Sequence, residues 1–390
     1  MSVTAAQGFR AAGVVAGLKK SGKADVALVV NDGPRTEAAG VFTRNKVKAA
    51  PVLWSQQVLT TGALRAVVLN AGGANACTGP QGFQTAHATA EKAAELLDCG
   101  AIEVAVCSTG LIGEQLPRET ALAGVGNAAD ELAATPEAGS AAAAAIMTTD
   151  TALKQSQVTD RAGWTVGGTT KGAGMIAPSM ATMLSVLTTD AVLDQPTLDA
   201  ALHEAVRYSF DRLDVDGSMS TNDTVLVLSS GASGVSPDPA VFTAALTRVC
   251  RDLAEQMQAD AEGVTKRITI RVSGAASEDD AVTVARTIAR DALVKTAVFG
   301  SDPNWGRVAA AAGYADAEVD PDRLDVTING VLLCKGAVVA GDRADCDLSG
   351  KDVLIEVELG LSGGADGRVA EIRTTDLSHA YVEENSAYSS

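Results

Sequence analysis

Short β-rich runs alternate with alanine-rich stretches along this 390-residue chain, and that alternation does most to narrow its possible folds. Ala66-Val-Val-Leu-Asn70 reads as a strand, followed by a glycine loop from Ala71 to Gly82 and a helix from about Thr85 to Leu97. Glu103-Val-Ala-Val-Cys107 reads as the next strand, with Ser108-Thr-Gly-Leu-Ile-Gly113 as its loop. Further helices are expected near 120–133, 137–147, 197–211, 239–261 and 279–296, and strands near 224–229, 267–273, 324–328, 353–359 and 369–374. Interleaved elements of this kind build α/β layers, not separate all-α and all-β domains. The length exceeds what a single core usually supports, so two lobes or one large layered fold is expected. No Pro/Ser-rich linker divides the chain, and no repeat of roughly 20–50 residues marks a solenoid.

Aromatic residues make up only 3% of the chain while alanine and glycine abound, so the core is expected to be aliphatic and its helices closely packed. The net charge of −17 disfavours nucleic acid and anionic membranes as partners. An anionic small substrate would have to meet local cations against that background, which singles out Lys171 and Arg307. The six cysteines are scattered, with no CxxC pair and no zinc-site spacing. No metal or cofactor is therefore expected. Residues 1–10 lack the basic and apolar regions of a secretory signal, and no apolar run is long enough to span a bilayer. Together with the cysteine pattern this points to a reducing cytoplasm.

The phrase richest in chemistry is Thr170-Lys-Gly-Ala-Gly-Met-Ile-Ala-Pro-Ser-Met-Ala-Thr-Met-Leu184. It sets a lysine, two close glycines and a proline ahead of Ala181-Thr182 and runs on into a strand-like tail. A threonine hydroxyl is a weak nucleophile that needs a base, and a free α-amine on the same residue is one solution. An internal threonine acquires that amine only if the bond before it is cut. Three other loop phrases are richer than a turn requires: Asn70 to Gly79, Cys107 to Pro117, and Phe299 to Arg307. Loops at strand ends are where α/β proteins hold their sites.

Blander readings apply to several motifs. Gly172-Ala-Gly-Met-Ile-Ala177 mimics a nucleotide fingerprint, but Pro178 and a strand-like tail stand where a helix should follow. Gly167-Gly-Thr-Thr-Lys171 lacks P-loop spacing. Asp214 to Asp223 looks like a calcium loop, but its glycine falls too early and the closing glutamate is absent; it is expected to shape a turn or line the pocket. His87, His203 and His379 are isolated and read as surface or structural residues. Asn304 is expected to cap a helix.

These phrases, with Met147-Thr-Thr-Asp-Thr151, Asp260-Ala-Glu-Gly-Val-Thr-Lys266 and the ending Tyr381-Val-Glu-Glu-Asn-Ser-Ala-Tyr-Ser-Ser390, resemble the ornithine acetyltransferases of arginine biosynthesis in their actinobacterial form. The family is also called glutamate N-acetyltransferase, and the resemblance runs from Gly8-Phe-Arg10 to Ser390. One departure is Gly73, where the family commonly has asparagine. The resemblance implies a layered α/β/β/α sandwich shared with certain self-cleaving aminopeptidases. It implies a precursor that cuts itself between Ala181 and Thr182 into residues 1–181 and 182–390, which remain one intertwined body. Thr182 then becomes the acetyl acceptor, Thr109 and Gly110 form the oxyanion hole, and Thr148, Lys171, Thr182, Glu262, Asn385 and Ser390 bind substrate. The implied reaction moves an acetyl group from N2-acetylornithine to glutamate, with acetyl-coenzyme A open as a further donor. The implied assembly is a heterotetramer of two α and two β chains.

Two rivals stand beside this reading. A hydrolase on the same scaffold, an aminopeptidase or amidase, would pass the acyl group to water. A binding protein with glycine-rich ligand loops would remain uncut and transfer nothing.

Overall fold

The computed structural model describes residues 2–177, 183–361 and 368–387. The chain forms two compact bodies: one runs to Asp211 and resumes over Ser218–Met257, and the other takes in Arg212–Gly217 and Gln258–Ser389. The covalent boundary expected at 181/182 is a different one, falling inside the first body.

The first body contains two sheets. Strands β1 (Phe9–Val14), β2 (Val26–Asn31), β4 (Ala66–Ala71) and β5 (Val104–Thr109) form one, in that order; β3 (Ala38–Phe42), β9 (Thr224–Ser229), β8 (Leu184–Thr189), β7 (Thr165–Lys171) and β6 (Lys154–Thr159) form the other, in that order. The β4–β5 and β8–β9 pairs are parallel and the rest antiparallel. β2, β4, β5, β8 and β9 are buried at every position. Burial on both faces is why they read as nearly unbroken Val/Leu/Ala runs and not as alternating strands.

One hydrophobic core joins the two sheets: Val67, Leu69 and Val106 of the first pack in the same cluster as Leu184, Val186, Leu226 and Leu228 of the second. Helices α1 (Ala50–Val58), α2 (Gly79–Leu97), α3 (Arg118–Asp130) and α4 (Pro136–Ala145) add Trp54, Ala90, Val125 and Ala142 to it. On the five-stranded sheet, α5 (Gln195–Arg207) packs against β3. The first-body part of α6 (Pro239–Ala259) brings Phe242 to Trp164 and the Met257 sulfur to the Thr170 hydroxyl. Helix, sheet, sheet and helix are thus layered as expected. The open edge of β5 is covered by α1: the Trp54 indole N–H donates to Val104 O at 3.0 Å, and the Ser55 hydroxyl donates to Val106 O at 2.7 Å and accepts from Val106 N–H. An edge satisfied in this way is no template for stray pairing.

The second body is a single sheet in the order β13 (Val338–Val339), β12 (Val331–Lys335), β11 (Asp325–Ile328), β14 (Asp352–Glu358), β10 (Arg267–Ser273) and β15 (Ala370–Thr375). Here the strands do alternate: Ile268, Ile270, Val272, Val353, Ile355 and Val357 are buried, while Arg267, Thr269 and Arg271 face outward. The buried face meets α7 (Glu278–Arg290), α8 (Ala292–Phe299) and α9 (Trp305–Gly313) in a separate core. A last helix, α10 (His379–Ala387), ends the described chain.

Two expectations need correction. The single helix at 279–296 is two, because Asp291 is extended and its carboxylate accepts the Val294 N–H, starting α8 afresh. The helix expected from Thr85 begins at Gly79. Asn304 does cap α9, accepting the Arg307 N–H at 3.3 Å. Among the described residues, no helix is long and apolar enough to cross a membrane.

Candidate active site

Thr109 is the last residue of β5, two positions beyond the expected strand end at Cys107, and is almost fully buried. Its carbonyl accepts the N–H groups of Gly72 (3.0 Å) and Gly73 (3.1 Å), which folds the 70–79 loop onto the strand end. Gly110 follows with φ +128°, and a Cβ there would stand 2.6 Å from the Gly73 nitrogen. Both the backbone angle and that approach require glycine.

Lys171 ends β7 with 2% of its surface exposed. Its ammonium donates to the Thr109 hydroxyl oxygen at 3.3 Å. An ammonium has donors and no acceptor, so Thr109 receives this bond and keeps its own proton to give.

The turn that carries Thr148 is built on the Asp150 carboxylate. Asp150 accepts from the Thr148 N–H (3.0 Å), the Gly172 N–H (2.7 Å) and the Lys154 ammonium (2.6 Å). Asp150 and Lys154 are both buried. Burial alone pushes the Asp150 carboxyl up, but the charges of Lys171 and Lys154 and these hydrogen bonds outweigh it and hold the group well below the usual carboxylate range. Lys19 is a further cation whose charge Lys171 and Asp150 both feel. It donates to the Ala24 and Ala145 carbonyls, and burial brings its pKa down to about 8.

The second buried acid is Asp223, immediately before β9. It accepts the Met183 N–H at 3.2 Å, and the Asp223 carbonyl takes the Thr43 N–H. Its neighbour Asn222 donates to the Ala74 carbonyl (2.6 Å) and the Ser108 carbonyl (2.8 Å), tying the start of β9 to the end of β5. Thr109, Lys171, Asp150, Asp223 and the head of β8 are therefore held in one polar cluster at the strand ends.

Of the site residues expected from sequence, Thr109, Gly110, Thr148 and Lys171 belong to this cluster. Ala181, Thr182 and Ser390 lie outside the described residues; Met183, the residue after Thr182, is the Asp223 partner. Glu262 and Asn385 are brought together in the second body, where the Asn385 amide donates to the Glu262 carboxylate at 3.0 Å. Arg307 is also in the second body and donates to the Leu293 carbonyl, as a helix-end contact. The calcium-like phrase ends in both bodies: Asp214 is buried against Arg290 in the second, and Asp223 joins the cluster in the first. Among the described residues, no group of three or more His, Cys, Asp or Glu side chains is arranged to hold a metal ion.

Sequence reasoning missed Asp150, Lys154, Asp223, Asn222 and Lys19 as members of the cluster. Asp150 and Asp223 each sat inside a phrase already singled out, and that was the available signal. The contacts that bring them to the site, Asp150 with the Gly172 amide and Asp223 with the Met183 amide, exist only in the folded chain.

A sequence model of the ArgJ family matches residues 10–390. The chain is 64% identical over 393 aligned residues to the arginine biosynthesis bifunctional protein ArgJ of Mycolicibacterium paratuberculosis, covering 100% of this chain and 96% of that protein. It is 59% identical to the protein of the same name from Streptomyces coelicolor, with both chains covered at 100%. Among solved structures, the ornithine acetyltransferase of Mycobacterium tuberculosis complexed with ornithine is similar at 60% identity and a TM-score of 0.45, over 47% of this chain and 96% of that one.

Proposed function

The chain belongs to the ArgJ family, and from that premise we propose that it transfers the acetyl group of N2-acetylornithine to glutamate through an acetyl-threonine on Thr182. It is an acyltransferase of arginine biosynthesis, as its relatives are. The observation that carries the site assignment is the Lys171 ammonium on the Thr109 hydroxyl, beside the strand that begins just after residue 182.

In this reading the chain first cuts itself. The Thr182 hydroxyl attacks the Ala181 carbonyl, the acyl group moves from nitrogen to oxygen and frees the Thr182 amine, and water opens the ester to release the Ala181 carboxylate and restore the Thr182 hydroxyl. An α-amino group titrates near pH ~8, so a useful fraction is neutral and can serve as a base at cellular pH. Thr182 Oγ then attacks the acetyl carbonyl of N2-acetylornithine. The Thr109 hydroxyl, which accepts from Lys171 and keeps its own proton to give, and the Gly110 N–H meet the developing oxyanion. Ornithine leaves with a proton from the Thr182 ammonium. The amine of glutamate attacks the acetyl-threonine and departs as N-acetylglutamate. Lys171 and Thr148 serve the substrate carboxylate, and Glu262 with Asn385 serves a substrate amine; Ser390 is assigned to the same substrate-binding set. Acetyl-coenzyme A is the further donor that the word bifunctional in the relatives' names supports. Two copies of each cut polypeptide form the proposed assembly. A reducing cytoplasm is the proposed location, supported by six free thiols.

The test is intact mass measurement of the purified protein beside Thr182→Ala. The expected result is two polypeptides, 1–181 and 182–390, in the parent and one uncut chain in the variant. Incubation with N-acetylornithine, with and without glutamate, separates transfer from hydrolysis. Ornithine released at the same rate in the absence of glutamate would overturn the transferase reading.

A further inference from the structure

The two buried acids of the cluster are not equivalent. Both Asp150 oxygens have donors. Asp223 is fully buried; its Oδ1 accepts the Met183 N–H, while Oδ2 has no hydrogen-bond partner among the described residues.

Strand register explains where this acid stands. The parallel pairing of Leu184 with Thr224 sets Met183 alongside Asp223, and the antiparallel pairing of Leu184 with Lys171 puts the lysine on the other side of the same strand head. The chain entering β8 is thus flanked by a buried cation and a buried acid. The groups that face Asp223 are the Lys171 ammonium from β7, the Met183 amide from β8, and the hydroxyls of Thr43 and Ser220. Ionised, Asp223 would be a fully buried charge with the Met183 amide in hydrogen-bond contact at Oδ1 and none of the facing groups in hydrogen-bond contact at Oδ2, which is far more unfavourable than a neutral acid there. Burial is also the dominant influence on its titration, and it holds the carboxyl well above the usual carboxylate range against the opposing pull of the Met183 amide, Lys171 and the Thr43 and Ser220 hydroxyls.

We propose that Asp223 is a positioning residue for the nucleophile: as a neutral acid it fixes the Met183 amide through Oδ1, so that the freed amine of residue 182 works as an uncharged base. The physical reason is the neighbouring charge. A carboxylate beside an amine favours the ammonium, which cannot accept a proton, whereas a neutral acid does not; Lys171 on the opposite side disfavours the ammonium further. This inference rests on the cut at Ala181-Thr182 proposed above.

The experiment uses the full chain and compares the parent with Asp223→Asn and Asp223→Ala. Asparagine reproduces the neutral acid, with an oxygen for the Met183 amide and an N–H donor in place of the hydroxyl. Three readouts are taken: the cut fraction by intact mass, kcat and KM for acetyl transfer, and the midpoint of the acid limb of the kcat–pH profile. Asp223→Ala is expected to slow cutting or to lower kcat by about tenfold or more with little change in KM. Asp223→Asn is expected to recover cutting and kcat to within about threefold of the parent, with the acid limb unmoved. An Asp223→Asn protein as impaired as Asp223→Ala, or one whose acid limb drops by about one pH unit or more, would mean that the ionised carboxylate is the acting form and would overturn the inference. Parental cutting and kcat in Asp223→Ala would overturn it as well. Should Asp223→Ala fail to fold, the Asp223→Asn results decide alone. A parent that turns over without being cut overturns the cleavage reading and this inference with it; a cut parent whose Asp223→Asn variant fails overturns only this inference.

Discussion

A single hydrogen bond sets the direction of chemistry at the oxyanion position. The Lys171 ammonium gives a proton to Thr109 Oγ1, so the Thr109 hydroxyl can only give its own proton elsewhere. Removing that hydroxyl while keeping the shape, in Thr109→Val, should lower kcat by roughly 10²–10³, the range found when one oxyanion donor is lost. KM for N-acetylornithine should change much less, because the bond is made to the transition state. Thr109→Ser should retain most of the rate. Steady-state kinetics decide this, and a Thr109→Val enzyme with parental kcat would remove Thr109 from the oxyanion hole. Thr109, Gly110 and Lys171 were legible in the sequence because each sits in a loop phrase with more chemistry than a turn needs. Asp150, Lys154 and Asp223 were not, because nothing local marks a carboxylate that will be buried against the Gly172 or Met183 amide from a distant part of the chain. Lys154 stands in a polar run, Lys154-Gln-Ser-Gln157, that gives no hint of its full burial.

At the scale of elements, burial leaves its mark on titration. Lys295 lies in the first turn of α8, buried, and donates to the Val215 carbonyl (2.5 Å) and the Thr374 hydroxyl (3.0 Å). Burial lowers its pKa to about 8, against the opposing pull of Asp214, Asp216 and Asp376. An unfolded lysine titrates near pH ~10.4. Between these values the unfolded chain binds more protons than the folded one, so this group makes the fold more stable as pH rises from about 8 toward ~10. Below that window both states are protonated and its contribution is flat. Denaturant midpoints at pH 7.5 and 9.5 should therefore favour the parent over Lys295→Met by about 2 kcal/mol more at the higher pH. An identical pH dependence in the two proteins would show that Lys295 does not carry the effect. The elements themselves were unevenly legible. β4, β5, β9 and β10 were found because their apolar runs are flanked by glycine or by helical stretches. β7 was not, because Gly167 and Gly168 break its strand signature; a Cβ on Gly167 would meet the Ser2 carbonyl at 2.3 Å, so tertiary packing selects glycine where strand propensity does not. The break at Asp291 was hidden for a similar reason, since a capping carboxylate in the middle of a helical pattern reads as one more polar position.

For the whole molecule, the consequence of a cut at Ala181-Thr182 follows from where the chain goes next. Two residues after the expected cut, β8 enters as the third of five strands, hydrogen-bonded to β7 on one side and β9 on the other. β7 belongs to the piece before the cut and β9 to the piece after it. Leu184, Val186 and Leu187 are essentially fully buried, and each contributes roughly 1.5–3 kcal/mol to holding the second piece in place. Breaking one peptide bond removes none of these ladder bonds and exposes none of these side chains. The two polypeptides should therefore elute together in native size-exclusion chromatography, at the volume of the uncut Thr182→Ala chain, and appear as two bands only on a denaturing gel. They should separate in solution only at denaturant concentrations that also abolish the near-ultraviolet signal of the buried tryptophans Trp54 and Trp164. Pieces that part in native buffer would mean that the β7–β8 ladder does not outlast the cut, and an enzyme built on Lys171 before it and Thr182 after it would lose activity on dilution.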